Sequence, residues 1–79
     1  MPQARLLITT TGRVAWVSVT VLGRRTLFAG MLRHGRTLRY SGHPLDVVIG
    51  DAGAVRLVVR GHVSAPAGSS GQVLRFTVR

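Results

Sequence analysis

"AWVSVTVLGRRTLFAGML", residues 15–32, decides how this chain folds. Ala15, Val17, Val19 and Val21 alternate with Trp16, Ser18 and Thr20, and Val14 precedes them on the second set. A period of two over eight residues is that of a strand, and its wholly apolar set belongs in a core. Gly23-Arg24-Arg25 then breaks the pattern, and a second apolar run follows, interrupted by Gly30. The stretch reads as a hairpin whose Val17, Val19 and Leu27 build the core. Trp16, the chain's one tryptophan, projects to the other face, where it either shields the sheet at one end or lies partly exposed. Together with Arg24 and Arg25 it is left over as a candidate for contact.

Working outward, ten glycines punctuate the chain, with apolar or alternating runs between most of them. Short strands with turn signals at this spacing indicate a sandwich or small barrel. No stretch sustains the i, i+3, i+4, i+7 pattern of a helix without a glycine inside it. Strands are expected at residues 5–10, 13–22, 25–32, 36–41, 45–49, 55–60 and 72–78. The expected architecture is all-β, a small antiparallel β-sandwich of about seven strands forming one domain over residues 1–79. Alternation places Leu38, Tyr40, Val55, Leu57, Val59, Leu74, Phe76 and Val78 inward and Arg39, Arg56 and Arg75 outward. Val17, Val19, Leu57 and Phe76 are expected core residues. "HVSAPAGSSG", residues 62–71, suits a flexible connection between the last two strands.

Charge dominates the composition. The chain carries eleven basic residues, every one an arginine, against two acids, for a formal net charge of +9. Such a surface attracts anions, whether wall polymer, lipid headgroups or nucleic acid. If their strands share a sheet, Arg39, Arg56 and Arg75 project together from one surface, and guanidinium clusters match carboxylate and phosphate groups bidentately. The plainer reading is a solvated face that keeps the domain soluble. With no cysteine, neither a disulfide framework nor a thiolate metal site holds the fold together. No segment reaches the roughly 20 consecutive apolar residues of a membrane helix, and "MPQARLLITTTGR" does not pass as a signal peptide.

Catalytic groups are scarce. Asp46 and Asp51 straddle a predicted strand, which separates their carboxylates, and Asp51 in "GDAG" reads as a side chain bonding its own turn. His34, His43 and His62 fall one per turn or strand end, with no spacing that suggests a metal. Ser41, His43 and Asp46 form a trio only by sequence proximity, which is weak support for a triad. "GDAG" and "GSSG" lack both the lysine and the strand-to-helix setting of a phosphate loop. The chain is therefore expected to be no enzyme and to carry no cofactor or metal. For stacking on single-stranded nucleic acid, Tyr40 and Phe76 are on core faces, which leaves Trp16 and Phe28.

The order of these features resembles the C-terminal domain of RodZ-type cell-shape proteins. The residues that carry the likeness are Ala15, Trp16, Val17 and Val19, then Leu27, Phe28, Gly30 and Leu32, then Gly35 and Tyr40. Gly50, Asp51, Ala52, Gly61, Gly71, Val73 and Phe76 continue it, so that it spans residues 5–78. These are turn and core positions, specific for a fold and uninformative about a site. "LGRR" and Arg60-Gly61 depart from the Asp-Gly and Asn-Gly turns of that family. The resemblance implies a fragment of a longer, membrane-anchored parent with a cytoplasmic helix-turn-helix domain and one transmembrane helix outside this segment. It further implies a non-catalytic interaction module on the extracytoplasmic face of the membrane, whose partners are proteins of the cell-wall synthesis or elongation machinery. The rival reading is a small basic nucleic-acid-binding β-barrel. The candidate contact residues are Trp16, Arg24, Arg25, Arg39, Arg56 and Arg75.

Overall fold

The computed structural model describes residues 5–42 and 44–78; His43 and the ends of the 1–79 domain lie outside the described residues. Eight strands run β1 (Leu6–Thr10), β2 (Val14–Val21), β3 (Thr26–Arg33), β4 (Thr37–Tyr40), β5 (Leu45–Gly50), β6 (Val55–Val59), β7 (His62–Ser64) and β8 (Leu74–Val78). A single 3-10 turn, Ala52–Ala54, links β5 to β6. The strands form two antiparallel four-stranded sheets, β4-β1-β6-β7 and β3-β2-β5-β8. Only β2–β3 and β6–β7 are consecutive strands within one sheet; every other connection crosses between sheets.

The core lies between the sheets and takes its side chains from the alternation itself. Leu6 and Ile8 of β1 meet Ala15, Val17, Val19 and Val21 of β2, Leu45, Val47 and Ile49 of β5, Val55 and Leu57 of β6, and Val78 of β8. All are aliphatic, and the β-branched ones are stiff at χ1 and pack well on a pleated surface. Among the described residues Thr10 is the one buried polar residue, and its hydroxyl donates to the Leu32 carbonyl at 3.2 Å, so its burial leaves no orphaned donor.

Four expectations change. First, Leu27 is 37% exposed and Phe28 packs against the core in its place. Val17 faces Gly30 and Val19 faces Phe28, which puts the even-numbered residues of β3 inward; the register then slips, Thr20 pairs with Thr26, and Leu27 is the extra residue of a bulge. Second, β7 is an additional strand, paired through Leu57–Ser64, Val58–Val63 and Val59–His62, in a segment whose composition suggested only a loop. Third, the rest of that loop is tied to the body of the domain. Ala67 N–H donates to Val55 at 2.8 Å, Ala52 N–H donates to Gln72 at 2.8 Å, and Gly68 N–H reaches the Ala52 carbonyl. Fourth, Asp51 does not close its own turn: it sits at φ 66°, and its carboxylate accepts a hydrogen bond from Gly71 N–H, twenty residues on, at 2.8 Å. Phe76 is on the inner face as expected but only half-buried against the core's edge.

Candidate functional site

The inner faces are consumed by the core, so any site has to be built from outer faces, edges and turns. On the outer face of the second sheet Trp16 stands between Met31 of β3 and Gly50 of β5, its direct cross-strand neighbours. Gly50 has no side chain to crowd the indole: a Cβ there would lie 3.5 Å from that of Trp16. Trp16 is 42% exposed and Met31 57%, and exposed Val14 lies one register step beyond. The next row is Ala29, Ser18, Val48 and Arg75, and the one after it Thr26, Thr20, Asp46 and Thr77. Trp16 is thus partly exposed in a regular row of the sheet, with an adaptable methionine beside it.

The outer face of the first sheet is different. Arg39, Leu7, Val58 and Val63 form one row across β4, β1, β6 and β7, and Thr37, Thr9 and Arg56 the next. Thr9 and Thr37 hydroxyls lie 3.0 Å apart, a side-chain hydrogen bond that ties β1 to β4 on this face. Arg39 and Arg56 do share this surface. Arg75 does not: β8 belongs to the other sheet, so its guanidinium leaves from the opposite side of the sandwich. The expected three-arginine face is therefore split, because strand alternation says which way a side chain points but not which sheet its strand joins. Arg24 and Arg25 are exposed in the β2–β3 turn, where Arg24 N–H donates to Val21 and the Arg25 carbonyl accepts from Val21.

A third grouping escaped the sequence reading. β1 passes to β2 through residues 11–13 and β3 passes to β4 through residues 34–36, and the two crossings lie side by side. His34 N–H donates to Arg13, Gly35 N–H to Thr10, Thr10 N–H to Arg36, and Arg36 N–H to Arg33. His34 Nδ1 is 2.6 Å from the Gly12 carbonyl; a carbonyl can only accept, so Nδ1 carries the proton. Arg13, Arg33 and Arg36 thereby meet at one corner of the sandwich. From it a cleft of about 380 Å³ runs between β3 and β4, lined by Phe28, Met31, Leu32, Arg33, Arg36, Thr37 and Leu38. The signal available beforehand was "RHGR", a two-residue turn with an arginine on each side, but only the meeting of two sheet edges makes it a cleft.

The remaining polar groups do not converge. Asp46 sits on an outer face between Thr20 and Thr77, and Asp51 is engaged by Gly71. His34 is committed to Gly12 and His62 lies on β7; among the described residues no three His, Cys, Asp or Glu side chains come together as a metal site. Burial pushes the Tyr40 phenol above its ordinary value, in keeping with a ring turned toward the core. Phe28 and Phe76 also pack against the core, which leaves Trp16 as the aromatic residue most open to a partner.

No match was found among the curated proteins or among the solved structures. The family model of the RodZ C-terminal domain matches residues 8–77, from within β1 to within β8, so it takes in both sheets and all the surfaces described above. The chain belongs to the RodZ C-terminal domain family.

Proposed function

We propose that this domain is a non-catalytic interaction module of a RodZ-like, membrane-anchored protein, displayed on the extracytoplasmic side, where it helps organise peptidoglycan synthesis and cell shape. The observation that carries the reading is Trp16: a large aromatic side chain, standing in a regular strand row, flanked by Met31 and opened by Gly50. Tryptophan is enriched at the energetic centres of protein interfaces, and its rigid ring offers apolar area with little side-chain freedom to lose. Proteins of the wall-elongation machinery are the partners this reading favours, with wall polymer or lipid headgroups meeting the arginines around it. The family membership supports the RodZ-like parent, and the dispersal of Asp46, Asp51 and the described histidines supports a binding role over acid–base chemistry.

The nucleic-acid reading loses ground. It needs several arginines and stacking aromatics on one face, whereas Trp16 shares its face with Arg75 but not with Arg39 and Arg56, and Phe28, Tyr40 and Phe76 pack inward. The test is a Trp16→Ala variant in the intact parent protein, scored for cell shape and for crosslinking to wall-synthesis enzymes, beside reporter fusions that are active on only one side of the membrane. Lost shape and crosslinks from a domain that still folds are expected, together with an extracytoplasmic reporter signal. Normal cells carrying Trp16→Ala would remove the Trp16 surface from the mechanism, and a cytoplasmic reporter signal would remove the location.

A further inference from the structure

The four sheet edges are not alike. β4 and β7 are four and three residues long, and β8, of five residues, carries Arg75 beside its central Phe76. β3 has eight residues, reads TLFAGMLR, and holds no charge before its last position. Edge strands that are short or centrally charged resist pairing with another chain; a long, apolar, uncharged edge invites it. Its register also shows which main-chain groups are free. His34 N–H donates to the Arg13 carbonyl, and the alternation of an antiparallel ladder then directs the main-chain groups of Leu32 and Gly30 to β2. Those of Met31 and Ala29 turn to the open side, along the cleft between β3 and β4.

The cleft supplies the rest of a recognition site. Phe28, Leu32 and Leu38 give it an apolar floor, and Arg33 and Arg36 stand at its corner end. The chain's two acids are placed elsewhere, Asp46 between Thr20 and Thr77 and Asp51 against Gly71, so neither carboxylate is set at this corner. A second copy of the chain, at +9, brings the wrong charge. A flat lipid surface does not enter a concave slot between two strand edges.

We propose that β3 and this cleft bind an extended acidic peptide segment of a partner protein by strand addition. The main-chain groups of Ala29 and Met31 pair with the incoming strand. Its alternate apolar side chains rest on Phe28, Leu32 and Leu38, and its carboxylates take Arg33 and Arg36. Strand addition draws affinity from the main chain and specificity from the pockets that receive alternate side chains, and arginine pairs with carboxylates bidentately. The site deepens the interaction-module reading and borders the Trp16 surface, with which it shares Met31.

The test uses the 79-residue chain and a fluorescent octapeptide of alternating glutamate and valine. Three control peptides have lysine in place of glutamate, or N-methyl groups on one or the other set of alternate amides of the glutamate peptide. The glutamate–valine peptide is expected to bind, with its affinity falling at least tenfold in Arg33→Gln/Arg36→Gln and falling as far on N-methylation of one of the two sets; the lysine peptide should not bind. Amide shifts on binding should concentrate at Ala29, Met31 and Leu38. The double variant changes exposed side chains only, so its melting temperature should match the parent. Binding that survives N-methylation in both registers overturns strand addition. So does undiminished binding to the double variant, or shifts centred on Trp16 or Arg56. Because the assay needs neither membrane nor cell, its failure leaves the location and shape tests of the parent protein standing.

Discussion

The sheet β4-β1-β6-β7 ends in strands of four and three residues, whereas β3-β2-β5-β8 ends in strands of eight and five. The first presents threonines and arginines around Leu7, Val58 and Val63; the second presents Trp16 and Met31 beside a glycine. Both contribute aliphatic side chains to one core. One sheet is thus finished off by short edges, while the other keeps a long edge and an aromatic in the open. Scattered apolar residues on a surface need no explanation, but a tryptophan in a row that glycine leaves uncovered, next to an uncapped edge, marks the second sheet as the one that presents.

That contrast requires the two sheets to be equal inside. Ile8 in the first and Ile49 in the second are both fully buried, so Ile8→Ala and Ile49→Ala should each cost about 2–5 kcal/mol. Against a total of roughly 4–12 kcal/mol for a chain this size, either change removes a large share, readable as a shifted denaturant midpoint. A large loss in one variant and almost none in the other would mean that the sheets do not share a core, and the comparison would collapse. Phe76→Ala should fall below the ~3–5 kcal/mol of a fully buried phenylalanine, since the ring is only half-buried at the edge strand β8.

The next effects concern the long connection from the first sheet to the second, residues 65–73. Gly53 is pressed against it: an added Cβ would stand 2.6 Å from Ser70 N and 2.7 Å from Ser70 Cα, both main-chain atoms that cannot swing aside. Gly53→Ala should therefore lower stability by about 1–3 kcal/mol, the usual range for overpacking. Asp51→Ala removes the acceptor for Gly71 N–H and should cost about 1.5 kcal/mol, the low end for a hydrogen bond to a charged group. Asp51→Asn keeps an oxygen acceptor and tolerates the left-handed backbone, so it should lose less. Hydrogen exchange at Gly71 gives the direct readout: it should speed up in Asp51→Ala and hold in Asp51→Asn. An unchanged Gly71 in both would show that the connection is held by its main-chain bonds to Ala52 and Val55 alone.

These particulars also show what was legible in the sequence. The all-β class and strands β4, β6 and β8 were plain, because alternation against a core is a local signal, and β2 was plain from its one wholly apolar face. β7 was not, since His62, Val63 and Ser64 are all exposed and pair with β6 through the main chain, leaving no pattern of burial to read. Leu27 reads as the inward residue of the β2–β3 hairpin, but the cross-strand register and a bulge turn Phe28 inward in its place. The arginine face failed on topology. Arg39, Arg56 and Arg75 have the same local pattern, and their sheets are decided by pairing between distant segments. Trp16 was correctly placed on the outer side of β2, while the Arg33–Arg36 cleft exists only because β3 and β4 border each other from different sheets.

The smallest predicted effects bear most directly on why Trp16 is where it is. If the indole served mainly to cover the main chain at Gly50, removing it would be a stability defect, and filling the glycine would relieve it. If it is held for a partner, stability should hardly notice. Trp16→Thr keeps a β-branched residue suited to a strand and loses a cross-strand pair with Met31, worth about 0.2–1 kcal/mol. Gly50→Ala meets only ordinary contact at 3.5 Å and should gain about 0.5–1 kcal/mol by removing a glycine from a strand. Combined, the two changes should nearly cancel in the melting curve, although Trp16→Thr removes the chain's only indole from the surface. A loss of several kcal/mol in Trp16→Thr would reverse the assignment: the tryptophan would then be covering the sheet, and the presenting role of the second sheet would rest on the edge of β3 alone.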